Sequence, residues 1–313
     1  MREKSIKYSV RIPTYNRENL ILGAVRSVIE AANKSGILDI VEIIIVDDGS
    51  TDNTFAVVSD FINVHSEVQI CYYRFTNNSG VAVARNEACK RAKGIWLVDL
   101  DSDDKLLPEA FEIYENYINM YPDAEIFAYG SVNSNGKNMV HVKNKVYISN
   151  KWTDYFYKNK YYDGEFQHVL KKSIDEEFPF IEGVNGGEGI KWYLINKKYY
   201  NKTVYTETVT RYYNTLNTDS LMRSEKTEGW LDNAIKIGEY RLSVMEDDLK
   251  KYSPRGKDGL AMSYAILGGY YIKKGDIKQG LIFTRRAWNI NIAELRVYRN
   301  ILMILKGKLD DLR

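Results

Sequence analysis

The chain has 313 residues, of which 44% are hydrophobic and 27% charged, with a formal net charge of +2. This balance excludes an intrinsically disordered chain, and the low net charge argues against binding of nucleic acid through a broadly basic surface. Residues 231–313 contain 16 Lys or Arg and 10 Asp or Glu, so the positive charge is concentrated in the C-terminal part.

The predicted elements of the first 105 residues alternate between strand and helix. Residues 41–46, VEIIIV, are typical of a strand buried on both faces, and residues 18–32 have apolar positions at helical spacing. The pattern predicts a parallel sheet whose strands end at one common edge, where ligands bind in open α/β sheets. The predicted elements are Tyr8–Pro13, Glu18–Ala32, Val41–Val46, Thr51–Asn63, Val68–Tyr73, Val81–Ala92 and Ile95–Val98.

The pattern changes beyond Pro108. A helix over Glu109–Asn119 and a strand over Ile126–Val132 are followed by a polar segment rich in Tyr and Asn, residues 133–215, whose short strands the pattern does not place. Residues 228–310 predict helices, two of them joined as a hairpin by Gly275–Asp276. These helices are Trp230–Val244, Leu260–Lys273, Ile277–Asn289 and Ile292–Leu305.

The cysteines and the hydropathy pattern bear on the compartment. Cys71 and Cys89 have neither metal-binding nor disulfide spacing, so we expect packed thiols in a reducing compartment. The N-terminal residues lead directly into a strand instead of a signal peptide, and the weakly charged residues 260–272 are too few to span a bilayer. We expect a cytoplasmic protein, either free or peripheral to the inner face of the membrane.

Four polar segments lie at the ends of the predicted elements: IPTYNR (12–17), VDDGSTDNT (46–54), NNSGVAVARN (77–86) and DLDSDD (99–104). In this order and at these intervals they resemble the family 2 glycosyltransferases with a GT-A fold, the Rossmann-like fold of nucleotide-diphospho-sugar transferases. The resemblance covers about the first 105 residues. It implies an α/β GT-A domain over residues 1–225, with 1–105 binding the nucleotide sugar and 106–225 on the acceptor side. The helical pattern beyond it predicts a helical C-terminal region over 226–313.

The resemblance also assigns residues to the donor site. Asp48 would accept a hydrogen bond from the imino N–H of uracil, with Tyr15 stacking nearby. The alternative for Asp48 is to cap the helix that follows, although Asp47 and Ser50 are stronger candidates for capping. The full set of expected nucleotide-sugar contacts is Pro13, Tyr15, Arg17, Asp48, Gly80, Arg85, Asp101 and Ser102.

Asp101-Ser102-Asp103 matches the Asp-x-Asp motif of the family. The resemblance implies that Asp103 binds Mn²⁺ or Mg²⁺ bridging both phosphates, with Asp101 near the ribose or the metal. Four carboxylates between Asp99 and Asp104 repel one another unless a cation or a basic group lies among them, which favours a metal site. Arg85 is expected to contact either the diphosphate or this acidic loop.

An inverting transfer needs a carboxylate that takes the proton of the acceptor hydroxyl. The segment GGEGIKW, residues 186–192, resembles the family's acidic pair at the head of a helix, which makes Glu188 the expected base. The segment departs from the family in having Gly189 where Asp often follows. Glu182, Asp175 and Glu177 remain candidates, and the alternative role for Glu188 is to stabilise a helix N-terminus by its charge.

The resemblance therefore implies transfer of a sugar from a UDP-linked donor to a hydroxyl of a saccharide or lipid-linked saccharide, with inversion, in the biosynthesis of cell-surface polysaccharide or glycan. Two alternatives remain open. A sugar-nucleotide nucleotidyltransferase would need a Gly- and Arg-rich loop after the first strand, which IPTYNR is not; a non-catalytic nucleotide- or glycan-binding module is disfavoured by the intact Asp48, Asp101 and Asp103. No nucleic-acid partner is expected. The C-terminal helices are expected to form a homodimer, to rest on an anionic membrane or to cover the α/β domain.

Overall fold

The computed structural model describes residues 5–184, 186–215, 229–252 and 257–310. The chain divides into two compact units, Met1–Thr218 and Asp219–Arg313. The boundary expected from the sequence, between residues 225 and 226, lies outside the described residues.

The first half of the N-terminal unit alternates strand and helix in the predicted order, with element ends shifted by a few residues. The elements are β1 (Tyr8–Thr14), α1 (Ile21–Lys34), β2 (Val41–Asp47), α2 (Thr54–Val64), β3 (Gln69–Arg74), α3 (Val81–Arg91), β4 (Trp96–Asp99), β5 (Lys105–Leu106), α4 (Ala110–Met120) and β6 (Ile126–Asn133). A 3₁₀ turn, Leu38–Ile40, precedes β2.

The segment that the sequence pattern did not place forms further short strands and helices. They are β7 (Val140–Val142), β8 (Val146–Ile148), α5 (Lys158–Tyr161), β9 (Tyr162–Gly164), β10 (Gln167–Lys171), α6 (Lys172–Glu177), α7 (Glu188–Tyr199) and β11 (Thr203–Tyr213). The 3₁₀ turns Trp152–Tyr157 and Tyr200–Lys202 lie between them.

Nine of the strands in the described part of the chain form one mixed sheet in the order β3-β2-β1-β4-β10-β6-β11-β5, with β8 paired to β11. β1 is parallel to both β2 and β4, and β2 is parallel to β3, so these four strands end at the same edge. β10 is antiparallel to its neighbours β4 and β6. β7 and β9 form a separate antiparallel pair.

β2 shows why residues 43–46, at the centre of the sheet, are all apolar. Successive side chains of a strand point to opposite faces, and both faces of this sheet are covered. Ile43 and Ile45 belong to one buried cluster, with residues of α1, α2 and α4, whereas Ile44 and Val46 belong to the other, with residues of α3, α6 and α7. Burial on both sides explains the continuous run of β-branched residues.

The C-terminal unit is helical, as predicted. Its helices are α8 (Trp230–Tyr252), α9 (Lys257–Lys274), α10 (Ile277–Ile290) and α11 (Leu295–Asp310). The predicted hairpin is confirmed: Gly275 has a φ of 91°, and the Asp276 side chain accepts a hydrogen bond from the backbone N–H of Gln279 at 3.0 Å. No helix in the described part of the chain has the length and apolar character needed to span a membrane.

Candidate active site

The loops at the carboxyl ends of β1 and β2 are joined by one side chain. Asn16 adopts a φ of 51°. Its amide oxygen accepts the backbone N–H of Thr51 at 2.8 Å, and its own N–H donates to the Ser50 hydroxyl at 2.9 Å. The sequence analysis did not identify Asn16, although Asn tolerates a left-handed conformation better than most residues do.

Asp48 holds the loop that precedes α3. Its carboxylate accepts the backbone N–H groups of Ser79 at 2.6 Å and Gly80 at 2.8 Å. Burial raises the pKa of Asp48, and the two hydrogen bonds oppose this rise. Gly80 has a φ of 96°, which favours glycine at this position. Asp48 thus fixes the approach of the α3 loop to β2.

The capping expectation for α2 is corrected by the structure. The first turn of α2 is bound by Asp52, whose carboxylate accepts the N–H of Thr54 at 3.0 Å. Asp47 instead accepts the N–H of Ser50 at 2.8 Å and the Tyr72 hydroxyl at 2.6 Å. None of the expected residues is the cap. Asp47 binds Ser50 within its own loop and Tyr72 of β3, and Asp48 binds the loop that precedes α3. The Ser50 hydroxyl accepts the N–H of Asn16.

The other expected donor residues lie at the ends of β1 and β4. Pro13 is buried within β1, Tyr15 is 40% exposed, and Arg17 is half-buried. Ser102 is buried between two acidic residues. The structure therefore places the expected donor contacts along one edge of the sheet, with Tyr15 accessible to a stacking base.

The acidic loop after β4 has arginine partners for most of its carboxylates. Asp99 pairs with Arg11, and Asp104 lies 3.3 Å from the Arg211 guanidinium. Burial raises the pKa of Asp104 to about 7, against the opposing charge of Arg211. Because basic groups already lie among these acids, their crowding is not in itself evidence for a metal.

Asp101 and Asp103, the two acids of the Asp-x-Asp motif, are both partly exposed. The Arg85 guanidinium donates to the Asp101 carboxylate at 2.7 Å, and Asp101 remains 40% exposed. Burial works to raise the pKa of Asp101, but the charges of Arg85 and then Arg211 outweigh it and lower the pKa. Asp103 is half-buried.

The carboxylates of Asp101 and Asp103 fit a divalent cation that is coordinated partly by the protein and partly by a substrate. No group of three or more His, Cys, Asp or Glu residues in the described ranges is arranged to hold a metal by itself. Mg²⁺ is commonly bound by one or two carboxylates together with substrate phosphates, and Asp101 and Asp103 supply that number.

Arg85 links the acidic loop to α7. Its second terminal nitrogen lies 3.5 Å from the Glu188 carboxylate, which is 40% exposed. The other oxygen of Glu188 accepts the N–H of Gly187 at 2.9 Å, at the first turn of α7. Of the two partners expected for Arg85, the structure shows the acidic loop. Arg85 thereby brings Asp101 and Glu188, 87 residues apart in sequence, to one guanidinium.

The alternative base candidates have other partners. Glu182 accepts a hydrogen bond from the Asn86 amide at 2.8 Å. Glu177 accepts one from the Tyr199 hydroxyl at 2.9 Å and pairs with Lys198 at 2.5 Å. Asp175 is buried in an ion-pair cluster. Among these four carboxylates, only Glu188 contacts the arginine that binds the Asp-x-Asp motif.

A buried charge cluster lies beneath this site. Arg11 is fully buried in β1 and binds both oxygens of Asp175, at 2.5 and 3.0 Å. Lys191, also buried, donates to Asp175 from α7. Burial lowers the pKa of Lys191 to about 8, and the charge of Arg11 adds to this effect. Burial works to raise the pKa of Asp175, but its two basic partners hold that pKa below the ordinary range.

Sequence reasoning missed the roles of Arg11 and Lys191. A signal was present for each, since a charged residue occupies a core position of an apolar strand or of a helix. The partner of such a charge is distant in sequence and cannot be identified without the fold. Lys191 of α7 and Arg11 of β1 both bind the carboxylate of Asp175, so the helix that carries Glu188 is anchored to the central sheet.

The sequence profile of the family described as Glycosyl transferase family 2 matches residues 9–178, more than half of the chain. The chain belongs to glycosyl transferase family 2. The match includes β1 to β4, the Asp-x-Asp loop and the Arg11–Asp175 pair. Members of this family transfer glycosyl groups, and the loops after β1, β2 and β4 lie within the matched residues.

Two bacterial glycosyltransferases and one solved structure are among the proteins that are similar to the chain. It is 28% identical over 281 residues to the GalNAc(5)-diNAcBac-PP-undecaprenol beta-1,3-glucosyltransferase of Campylobacter jejuni, covering 85% of this chain and 83% of that protein. It is 38% identical over 104 residues to TuaG of Bacillus subtilis, named as a teichuronic acid biosynthesis glycosyltransferase, covering 33% of this chain and 38% of TuaG. TarS residues 1–349 of S. aureus, solved with UDP-GlcNAc, superpose with a TM-score of 0.58 at 16% identity, covering 89% of this chain and 90% of that one.

Proposed function

We propose that the protein transfers a sugar from a UDP-linked donor to a hydroxyl of a saccharide or lipid-linked saccharide, with inversion at the anomeric carbon. The observation that carries the proposal is the contact of Arg85 with both Asp101 and Glu188. It supports a site where a donor-binding carboxylate and a base lie on either side of one arginine.

The donor is assigned to the edge formed by β1, β2 and β4. Its contacts are Pro13, Tyr15, Arg17, Asp48, Gly80, Arg85, Asp101 and Ser102. Support for UDP comes from TarS, solved with UDP-GlcNAc on a similar fold. Residues 106–225 are assigned to the acceptor side. A lipid-linked acceptor is supported by the C. jejuni relative, whose name specifies an undecaprenol-linked saccharide.

The chemistry follows from the positions of the carboxylates. The oxygen of the acceptor hydroxyl forms a bond to the anomeric carbon while Glu188 takes the proton of that hydroxyl. The bond from the anomeric carbon to the diphosphate breaks. A Mn²⁺ or Mg²⁺ ion held by Asp103 and Asp101 would stabilise the negative charge of the departing diphosphate. Arg85 orients Asp101 and Glu188 and adds positive charge at the same place.

The proposal is tested by Asp103→Ala with Asp60→Ala as control. Asp60 is an exposed acid on α2, so the control makes the same chemical change away from the site. Asp103→Ala should abolish hydrolysis of UDP-sugars and transfer, while circular dichroism remains that of the parent. Asp60→Ala should keep both activities. Parental activity of Asp103→Ala in EDTA would overturn the metal assignment, and inactivity of the parent with every nucleotide sugar and metal tested would overturn the proposed reaction.

The proposal also includes a partner for the C-terminal unit, which is either an anionic membrane or a second copy of the chain. Peripheral contact with an anionic membrane would bring the site to a lipid-linked acceptor, whereas a homodimer through the C-terminal helices would not require a membrane.

A further inference from the structure

Helix α11 has an apolar stripe on its exposed side. Four of its large apolar side chains are between 41% and 80% exposed: Leu295, Tyr298, Leu302 and Leu305. They follow one another at intervals of three, four and three residues, which places them on a single face of the helix. An exposed stripe of this kind is unusual for a surface that only faces water.

The opposite face of α11 fixes the orientation of this stripe. Val297 and Asn300 are fully buried. The Asn300 amide donates to the Ala265 carbonyl at 2.7 Å and to the Thr284 hydroxyl at 3.1 Å. A rotation of α11 that buried the stripe would break both hydrogen bonds inside the unit, so the stripe remains on the exposed side.

A groove between α10 and α11 extends the stripe. It has a volume of about 320 Å³. Trp288 on its wall is 38% exposed, and its ring lies 5.6 Å from that of Tyr298 in the stripe. The lining residues are Leu281, Thr284, Arg285, Trp288, Asn289 and Ile301. We call the stripe and the groove together the C-terminal apolar surface.

Basic side chains border the C-terminal apolar surface. Arg299 and Lys306 are exposed and each follows a leucine of the stripe by four residues, one turn along the same face. No acid among the described residues forms an ion pair with either of them. Residues 277–310 as a whole contain seven Lys or Arg and two Asp or Glu. Three cationic side chains, those of Arg285, Arg299 and Lys306, thus lie on or beside the C-terminal apolar surface, which is both apolar and positive.

This charge discriminates between the two partners. A symmetric dimer through this surface would place the same positive face of each copy against the other, which is unfavourable. An anionic lipid surface offers negative headgroups to Arg299 and Lys306 and an apolar interior to the leucines. Charge complementarity thus favours the membrane.

We propose that the C-terminal apolar surface binds an anionic lipid membrane, with the leucines of α11 inserted at the headgroup boundary and Arg299 and Lys306 on lipid phosphates. The binding itself is independent of the transfer chemistry. Only its purpose, delivery of the enzyme to a lipid-linked acceptor, rests on the proposed function. Vesicle binding and donor hydrolysis in solution therefore test the two proposals separately.

The test is co-sedimentation of the full chain with vesicles of phosphatidylcholine alone or mixed with phosphatidylglycerol. The parent should bind the mixed vesicles at low salt and lose that preference at high salt, where charges are screened. Arg299→Gln with Lys306→Gln should weaken binding by about 25-fold, at about fivefold for each charge. Leu302→Gln with Leu305→Gln should also weaken binding, because the insertion of apolar side chains is lost.

The matched control is Lys236→Gln with Arg241→Gln, which removes the same charge from exposed positions on α8. The control should bind as the parent does, and all variants should hydrolyse donor in solution at the parental rate. The proposal is overturned if the parent does not bind mixed vesicles, or if the control weakens binding as much as the α11 variants do. It is also overturned if light scattering shows a dimer that Leu302→Gln with Leu305→Gln dissociates, since the surface then binds a second copy.

Discussion

Two charge clusters differ in their exposure to solvent: a lower cluster of Arg11, Asp175 and Lys191, and an upper cluster of Arg85, Asp101 and Glu188. In the lower cluster, Arg11 and Asp175 are 0% and 1% exposed. In the upper cluster, Arg85 is 16% exposed, and Asp101 and Glu188 are each 40% exposed. Removing one partner of a buried ion pair leaves an uncompensated charge, whereas an accessible pair can exchange its partner for water or substrate. We infer that the lower cluster maintains the framework and that the upper cluster acts on the ligand.

The largest effect is expected from Glu188→Gln in the upper cluster. Loss of a general base lowers the transfer rate by about 10²- to 10⁴-fold. Affinity for the UDP-sugar should stay near that of the parent, because the base acts in chemistry and not in holding the donor. Steady-state kinetics and calorimetric titration with UDP check the two expectations. Transfer at the parental rate would move the base to another carboxylate, and Glu182 would be examined next.

Asp175→Asn in the lower cluster is expected to lower the free energy of unfolding. The size of this loss is comparable to the rise in activation free energy expected for Glu188→Gln. Removing the carboxylate leaves Lys191 without its acidic partner in a buried site, which costs about 3–5 kcal/mol of the free energy of unfolding. Urea unfolding followed by circular dichroism measures this loss. A change below about 1 kcal/mol would show that the lower cluster does not maintain the framework.

Lys191 is expected to have a smaller effect on the free energy of unfolding, and this effect depends on pH. Its pKa is lowered from 10.5 to about 8, so between these values the unfolded chain binds more protons than the folded one. The free energy of unfolding therefore gains up to about 1.4 kcal/mol per pH unit from this residue as the pH rises through that window. Lys191→Met should lack this contribution. Parallel stability profiles of parent and variant from pH 8 to 10 would contradict it.

The smallest effect is expected from Glu177→Gln, the matched control for Glu188→Gln. Glu177 lies at the end of α6 with Lys198 and Tyr199 as partners. Exposed pairs of this kind contribute little to stability, and no donor or acceptor group is assigned beside it. Transfer rate and melting temperature should both match the parent. A large loss of transfer would place Glu177 in the site.

The sequence predicted the first half of the N-terminal unit and the C-terminal helices well, and residues 133–215 poorly. β1 to β4 and the helices between them have strong periodicity and are bounded by turn residues, so their order and approximate ends were predictable. The segment 133–215 was not, because β7, β8 and β9 have three residues each, too few to show a period. The antiparallel insertion of β10 between β4 and β6 depends on distant partners and has no local signal.

The site, too, was only partly predictable from the sequence. Asp101, Arg85 and Glu188 were each selected from motifs, but the shared contact through Arg85 required the fold. Asn16 was overlooked because its role is to bind the backbone of a loop 35 residues away. The assigned roles of these residues in donor binding and catalysis remain proposals.

The position of β10 determines when the sheet can be completed during synthesis. β4 follows β1 to β3 and pairs with β1 on one side, but its other edge pairs with β10, which begins at Gln167. Until those residues have left the ribosome, the four parallel strands expose an unpaired edge that other chains can join. We expect a chain ending at residue 165 to aggregate more readily than one ending at 178, as light scattering after synthesis in vitro would show. The four parallel strands, which are encoded early, thus depend on a strand encoded late for the protection of their edge.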